Sequence, residues 1–388
     1  MLSRKTYPLV RIGGEAKLVV EHDGEKPIRA YLVTRAPVRG FEKMLEGKNP
    51  LFAIEAAMRI CGICHAAHGV AACEAIEHAL GILPPRDGLL LREAIGLINR
   101  VQSHILQEIM ILPDMLVDNV RDKIFRELVT VFNDVCLLLL KVGGAPTHPP
   151  YLTIGGILKK PAEASFNEAK SLAKKIYKSY CSVEDKLLDE DLWRKEFLEL
   201  KNISFPTRKL ASHLFYGNRY NIKVDEIAVV KRQENTVYGE STSNIALYSN
   251  EVVEVGPRAR LETYLFKRME SLAGLQEARI VETELVLRRV TELLEEIDLS
   301  APLRSHELIF TRGTGVGVYE APRGTLVHKV KLDAEGRVEY YEIVTPTMFN
   351  IPLMEKAVTL VPLTLAEVVP RIYDPCIPCS THLVEVRR

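Results

Sequence analysis

Two short segments near opposite ends of the chain decide the fold, and each of them carries a pair of cysteines. The first reads RICGICHAAH over residues 59–68, and the second reads DPCIPCSTH over residues 374–382. Two cysteines three positions apart can bind one metal ion from a helix N-terminus or from a tight turn. If both pairs bind at one centre, the 388-residue chain must bring its two ends together.

Cysteine sets of this kind hold three types of metal centre. A structural zinc ion takes four thiolates, but its two pairs usually stand about 15–20 residues apart, far closer than they do here. Thiolate ligands also suit iron–sulfur clusters and nickel. The residues that flank the cysteines therefore have to distinguish among zinc, an iron–sulfur cluster and nickel.

The composition argues against several functional classes. Lysine and arginine together number 51, as do aspartate and glutamate, so the chain lacks the basic excess of a general nucleic-acid binder. We expect no direct membrane insertion, because no apolar run reaches the roughly 18–20 residues that a membrane helix needs. The first ten residues lack the apolar core of a secretory signal, and the odd count of seven cysteines favours a reducing compartment. A cytoplasmic protein is therefore expected.

The hydrophobic pattern predicts an α+β fold that is mainly helical. Residues 10–33 and 316–344 read as strands, and Asp23-Gly24 marks a hairpin turn. Segments with helical periodicity are 51–80, 87–112, 124–141, 161–188, 260–297 and 350–369. No repeat or linker divides the chain, so residues 1–388 are expected to form a single domain. Its large helical-bundle core would carry small β elements from both terminal regions.

The two cysteine segments resemble the signatures of nickel–iron hydrogenase large subunits, RxCGxCxxxH and DPCxxCxxH. Both occur in the family's order and at the expected ends. Weaker matches to the same family lie at residues 39–42 (RGFE), 103–104 (SH), 143–156, 256–260 (GPRAR), 320–324 (EAPRG) and 345–350 (TPTMFN). The resemblance spans nearly the whole chain. Its compact length is most similar to the group that includes coenzyme F420-reducing and sulfhydrogenase-type enzymes.

The resemblance implies a ligand set for a nickel–iron centre that cleaves H2. Cys61 and Cys376 would be terminal ligands of nickel. Cys64 and Cys379 would bridge nickel to an iron that carries carbon monoxide and cyanide. His68 would hydrogen-bond to the bridging sulfur of Cys64 and tune it.

The resemblance also implies roles for residues around the metals. Arg323 would lie over them, paired with the carboxylate of Asp114. Either the guanidine of Arg323 or the thiolate of Cys376 would take the proton when H2 splits. Thr347 and the peptide around Pro322 would hydrogen-bond to cyanide.

A second ion and a processing step belong to the same resemblance. Glu42, the carbonyl of Ile343 and His382 would hold magnesium or a similar divalent ion behind the site. In the family a maturation protease removes the residues after the terminal histidine once nickel is inserted. Here it would release residues 383–388.

Electrons from H2 must leave this chain through a partner. The three remaining cysteines, Cys73, Cys136 and Cys181, are solitary in sequence, so they offer no ligand set for an iron–sulfur relay. An iron–sulfur small subunit is therefore implied. A further subunit would hold the electron acceptor, which can be F420, NAD(P) or another carrier.

One departure from the family affects the proton route. One motif of the family has a glutamate at its third position, which is thought to carry protons. The matching segment here is Arg11-Ile12-Gly13-Gly14-Glu15, so Gly13 stands in place of that glutamate. Glu15, two positions on, is expected on the same strand face as Gly13 and could act through a water. The departure leaves open an alternative, a diverged metal-binding homologue with a sensing or structural role in a redox complex.

Overall fold

The computed structural model describes residues 2–232 and 241–381 of the chain. The helices are α1 (Phe41–Leu45), α2 (Pro50–Met58), α3 (His65–Leu80), α4 (Arg86–Met115), α5 (Asp118–Gly143), α6 (Glu163–Leu187), α7 (Lys195–Leu198), α8 (Pro257–Leu265), α9 (Gly274–Glu296), α10 (Pro346–Val358), α11 (Val368–Tyr373) and α12 (Ile377–Ser380). The strands are β1 (Ser3–Leu9), β2 (Ala16–His22), β3 (Pro27–Val33), β4 (Leu152–Thr153), β5 (Gly156–Ile157), β6 (Ile227–Val230), β7 (Ile245–Tyr248), β8 (Gly313–Ala321), β9 (Gly324–Leu332) and β10 (Val338–Val344). The prediction of a mainly helical α+β fold is confirmed.

Two three-stranded antiparallel sheets come from opposite ends of the chain. The strands β1, β2 and β3 lie side by side in sequence order, and β9 lies between β8 and β10. Both sheets lie where strands were predicted, except that β1 precedes the predicted segment. The pairs β4–β5 and β6–β7 were not predicted, because strands of two or four residues are too short to show alternation.

Three of the predicted helices are each divided in the structure. The first cysteine pair forms a loop between α2 and α3, at residues 59–64. The chain also breaks between α8 and α9, where Phe266 has a left-handed φ of 54°, and between α10 and α11, around Pro362. Periodicity did not predict these breaks, because apolar residues recur on both sides of each one.

Four long helices, α4, α5, α6 and α9, pack against one another as the helical core. On α5 the buried side chains recur every three or four residues, so one apolar stripe faces the neighbouring helices. The stripe consists of Ile124, Leu128, Val131, Val135, Leu138, Leu139 and Val142. Within residues 2–232 and 241–381, no helix is long and apolar enough to cross a membrane.

Helix α3 joins the first cysteine pair to the C-terminal sheet. It packs along β8, in which glycines at positions 313, 315 and 317 alternate with larger residues. A Cβ atom on any of these glycines would overlap the backbone of α3. The close approach fixes the N-terminus of α3, and with it Cys64, against the sheet that carries Arg323.

The two ends of the chain also meet through their backbones. Gly13 forms an isolated parallel bridge with Cys376, and the N–H of Ile377 donates to the carbonyl of Gly13 at 2.7 Å. Nearby, the hydroxyl of Tyr7 donates to the carbonyl of Leu363 at 3.3 Å. The meeting of the ends that a shared metal centre requires is therefore present.

The contact between α3 and β8 generates a stability prediction. We expect Gly315→Ala to lower the free energy of unfolding by about 1–3 kcal/mol, because the added methyl group would overlap the carbonyl of Ala75. Thr314→Ala, at an exposed position on the same strand, is the matched control and should change stability little. Thermal unfolding of both variants measures the difference, and equal stability would show that the helix and strand do not approach so closely.

Candidate metal centre

The four predicted ligand cysteines meet at one buried point. Their sulfur atoms all lie within 4.8 Å of one another. The Sγ–Sγ distances are 3.2 Å for Cys61 and Cys376, 3.3 Å for Cys64 and Cys379, and 3.0 Å for Cys376 and Cys379. A disulfide would be about 2.05 Å long, so these are free thiols. Each cysteine of the first pair faces one cysteine of the second.

Tight turns and helix N-termini present the sulfurs. Cys64 precedes the first residue of α3, and Cys376 precedes the first residue of α12. The backbone N–H groups of Ile63 and Cys64 donate to Sγ of Cys61 at 3.2 and 3.5 Å. Before Cys376, Asp374 takes a left-handed φ of 57° and ends α11, which turns the chain into the site. Donors directed at sulfur favour the thiolate form.

The buried thiols also affect one another's protonation. A hydrogen bond with Cys376 lowers the pKa of Cys61 well below its ordinary value, whereas hydrogen bonding with Cys376 raises the pKa of Cys64. Burial raises the pKa of Cys379 well above its ordinary value. All four cysteines can become thiolates together only when bound cations balance their charge, so metal binding must release protons.

A small, partly enclosed cavity lies against three of the sulfurs. Its lining combines charged, polar and apolar side chains, namely Cys64, His68, Ala321, Arg323, Leu326, Pro346, Thr347, Cys376 and Cys379. The four soft sulfur ligands fit a thiolate-bound metal. A second metal would fit beside it, where the cavity meets the predicted bridging cysteines, Cys64 and Cys379.

Two comparisons with known proteins decide the family. The sequence matches nickel-dependent hydrogenases over residues 39–108 and 262–382. The chain is also 35% identical to coenzyme F420 hydrogenase subunit alpha of Methanocaldococcus jannaschii, over 97% of this chain and 93% of that protein. The chain belongs to the nickel-dependent hydrogenase family. This confirms the predicted enzyme class, an oxidoreductase that acts on H2, and the predicted large subunit.

Other relatives agree with the assignment. Sulfhydrogenase 1 subunit alpha of Pyrococcus furiosus is 26% identical over 96% of this chain and 96% of its own length. The structure of the Ni-Fe-Se hydrogenase from Desulfovibrio vulgaris Hildenborough superposes with a TM-score of 0.81 over 98% of this chain and 100% of that one, at 21% identity. The second likeness shows that this hydrogenase has the large-subunit fold.

In this hydrogenase Arg323 is buried beside the cysteines and is held from three directions. Its Nε donates to the backbone carbonyl of Asp374 at 2.6 Å, and its Nη2 donates to Oδ1 of the same residue at 2.8 Å. Its Nη1 donates to the hydroxyl of Ser103 at 3.2 Å. Burial opposes the charge, but the Asp374 carboxylate and the nearby sulfurs keep the pKa of Arg323 above its ordinary value. The guanidinium is therefore a fixed cation at the cavity.

The predicted pairing of Arg323 with Asp114 is wrong. Asp114 instead accepts from Arg11 at 2.8 Å and from Arg371 at 3.1 and 3.2 Å. The reason is distance, because Asp114 lies about three turns, or about 16 Å, beyond the point where α4 contacts Arg323. The carboxylate that pairs with Arg323 is Asp374. A signal for it was available, since it precedes the second cysteine pair by two positions.

The remaining predicted neighbours lie at the cavity or next to it. Nε2 of His68 is 3.4 Å from Sγ of Cys379, the other bridging candidate, whereas the resemblance implied Cys64. The hydroxyl of Thr347 accepts from the N–H of Cys376 at 2.9 Å, so its own proton is left for another acceptor. The carbonyl of Pro322 accepts from Arg260 at 3.1 Å, which holds the turn between β8 and β9 beside the cavity.

Two of the three residues predicted to bind magnesium are adjacent. A carboxylate oxygen of Glu42 accepts from the N–H of Ile343 at 2.8 Å. Burial raises the pKa of Glu42 to about 8, and a cation bound beside it would favour the charged carboxylate. His382 lies outside the described residues, as do residues 383–388.

The glycine that replaces the family glutamate lies directly at the centre. A Cβ built on Gly13 would be 3.2 Å from the carbonyl oxygen of Pro375 and 3.5 Å from Cα of Cys376. Gly14 next to it has a φ of 103°, which breaks the strand alternation, and the side chain of Glu15 is exposed. Glu15 therefore does not share a face with Gly13, and the substitute role predicted for it is not supported.

Arg39 is a structural clamp that the sequence did not reveal. Its Nη2 donates to the carbonyl of Ile60, just before the first cysteine, and to the carbonyl of Pro378 at 2.7 Å, just before the last one. One side chain thus ties together the two segments that carry the ligands. The RGFE match at residues 39–42 was the available signal, but it did not say which groups the arginine would bind.

The geometry predicts which cysteines matter for metal binding. We expect Cys379→Ala to abolish metal retention, because it removes a sulfur that lies within 3.3 Å of two others. Cys136→Ala is the control, since that thiol is half-buried, lies on α5 away from the four-sulfur set and accepts a hydrogen bond from Gln102. It should cost of order 1 kcal/mol and leave the metals in place. Equal metal loss in both purified variants would refute the ligand set.

Proposed function

We propose that this chain holds a nickel–iron centre at Cys61, Cys64, Cys376 and Cys379 and cleaves H2 heterolytically and reversibly there. The observation that supports this most strongly is the convergence of four buried sulfurs from both ends of the chain beside a small cavity that Arg323 helps to line. When bound, the centre supplies the site at which H2 is polarised and split. The ligand roles follow the family, with Cys61 and Cys376 terminal on nickel.

The contacts of Arg323 favour one of the two candidate proton acceptors. The carboxylate of Asp374 lies 2.8 Å from the guanidinium and stabilises its charged form, so Arg323 is a poor base. The Cys376 thiolate is the better acceptor of the proton from H2. Arg323 instead presents a positive charge to the cavity and holds the reacting pair in place.

Polar groups around the cavity suit the small diatomic ligands of the family. The hydroxyl of Thr347 already accepts from Cys376, so its proton is free to be donated to a cyanide nitrogen. The backbone around Pro322 lies in the turn beside the cavity, between two lining residues. Carbon monoxide needs no donor and suits the apolar part of the lining. We assign iron with carbon monoxide and cyanide to this space.

A divalent ion behind the centre is part of the proposal. Glu42 is buried and in contact with the backbone of Ile343, and its raised pKa marks a site that a cation would stabilise. Magnesium would take an oxygen of Glu42, the carbonyl of Ile343 and His382. The ion would then tie the C-terminal segment to the start of α1.

The proposed partners follow from the route that electrons need out of this chain. In the described ranges, the only cysteine cluster that could hold a metal is the four-sulfur set, so the electrons must leave through an iron–sulfur small subunit. Relatives named as alpha subunits of F420 hydrogenases and sulfhydrogenases agree with a multi-subunit enzyme. We propose a further subunit for the electron acceptor, with F420 favoured by the first relative, and a cytoplasmic location.

Arg323 provides the direct test of this function. We expect Arg323→Lys to retain its metals but to lower the rate of D2–H2O exchange by about 10²-fold or more, because lysine cannot reproduce the three fixed contacts. Isotope exchange needs no electron acceptor, so it reports cleavage of hydrogen alone. Arg289→Lys, which alters the ion pair between Arg289 on α9 and Glu93 on α4, is the control. Normal exchange in Arg323→Lys would make the arginine purely structural, and no exchange in the wild-type heteromer would refute the function.

The processing step predicts a mass. We expect the intact mass of the nickel-loaded chain to lack residues 383–388, because His382 must turn inward to reach the ion near Glu42. A tail continuing from it would bring Glu385, Arg387 and Arg388 toward a buried site, where unpaired charge is costly. Mass spectrometry of active protein measures this directly. A chain that retains the tail while it holds nickel would show that the protease step does not apply here.

A further inference from the structure

A line of buried side chains continues from the cysteine centre into the C-terminal sheet. Nε2 of His68 lies 3.4 Å from Sγ of Cys379, and Nδ1 of His68 lies 3.1 Å from Nε2 of His328. Nδ1 of His328 in turn lies 2.8 Å from the hydroxyl oxygen of Tyr341. All four residues are buried. Each contact is within hydrogen-bonding distance, so the line is a chain of three hydrogen bonds.

The fold explains why these residues are aligned. His68 lies on the first turn of α3, four positions after Cys64, and therefore points along the same face as the metal ligand. His328 on β9 pairs with Ile343 on β10 in the sheet register, so Tyr341 is its diagonal neighbour on the same face. The packing of α3 on this sheet brings the first histidine to the second.

The chemistry of the two ends allows one direction of donation. A metal-bound thiolate has no proton, so the sulfur of Cys379 can only accept. At the other end, the hydroxyl of Tyr341 is a neutral phenol 2.8 Å from Nδ1 of His328, so it has a proton to donate. A neutral imidazole carries one N–H, so a ring that donates from one nitrogen must accept at the other.

We propose that Tyr341 and His328 are positioning residues for the metal centre, and that they set the tautomer of His68. The hydroxyl of Tyr341 donates to Nδ1 of His328, Nε2–H of His328 donates to Nδ1 of His68, and Nε2–H of His68 donates to the thiolate of Cys379. The inference rests on the proposed function only in that Cys379 is a thiolate bound to metal.

The consequence lies at the sulfur. A hydrogen bond donated to a thiolate withdraws electron density from it and weakens it as a donor to the metals. Hydrogen bonds to ligand sulfur are one of the means by which proteins set the reduction potential of a metal centre. Tyr341 thus influences a metal that it does not touch, through two imidazole rings.

The first test reads the tautomers directly. Nitrogen-15 NMR of the metal-loaded heteromer with labelled histidine, in a diamagnetic state, should show His68 and His328 both protonated at Nε2 only. Resonances are assigned by their loss in His68→Gln and His328→Gln. A proton on Nδ1 of either ring would overturn the proposal. The measurement holds whichever metal is bound, so a metal other than nickel would refute the proposed function without deciding this inference.

The second test uses two adjacent tyrosines. Tyr341→Phe keeps the ring that fills the core but removes the terminal donor. Tyr340→Phe is the matched control, because the Tyr340 hydroxyl donates to Glu342 at 2.7 Å on the other face of the same strand. We expect Tyr341→Phe to retain the metals and to reduce the share of His68 protonated at Nε2. The midpoint potential of the metal centre should shift to a more negative value. Tautomers and a potential equal to those of Tyr340→Phe would overturn the proposal.

Discussion

The whole structure depends on the placement of four sulfur atoms from the two ends of the chain within 4.8 Å of one another. Four thiolates cannot share a buried site without cations, because each would lose its hydration and repel the others. Folding and metal binding are therefore coupled, and the backbone pairing of Gly13 with Cys376 and the clamp of Arg39 act toward the same end. These contacts close the chain around the site but leave the charge to be balanced by the metals.

Buried ion pairs extend this constraint into the protein. Arg260 pairs with Glu282 at 2.5 Å and with Glu320 at 3.1 Å, and it also donates to the carbonyls of Ala321 and Pro322. Such pairs contribute little to stability, because the cost of desolvation offsets their attraction. What they do here is fix the turn between β8 and β9. Arg323, which faces the cavity, directly follows Ala321 and Pro322. Its position therefore depends on the ion pairs of Arg260, which do not touch the metals.

The sequence was informative where residues act through local spacing. The four motif cysteines meet, Thr347 lines the cavity, and Glu42 contacts Ile343, as the motifs indicated. Short segments keep their geometry when a fold is shared. The backbone of the α+β fold followed from periodicity in the long helices.

Contacts that depend on the length of a helix or on the direction of a turn were not predictable in the same way. Asp114 and Asp374 are both aspartates near motif residues, and only the length of α4 and the turn after α11 decide which one reaches Arg323. The expected placement of Glu15 on the same strand face as Gly13 was wrong, because Gly14 between them has a φ of 103°. The link from His328 to Tyr341 arises from the register of β9 and β10, which a single sequence does not encode in any motif.

We propose that these sulfurs hold one nickel, with one iron in the cavity beside it. Crystals of the matured heteromer, measured on either side of the nickel and iron absorption edges, locate each element separately by anomalous scattering. We expect a nickel peak within bonding distance of all four cysteine sulfurs, and an iron peak in the cavity that shares only Cys64 and Cys379 with it. A single zinc peak at the centre of the four sulfurs, with an empty cavity beside it, would refute the nickel–iron assignment.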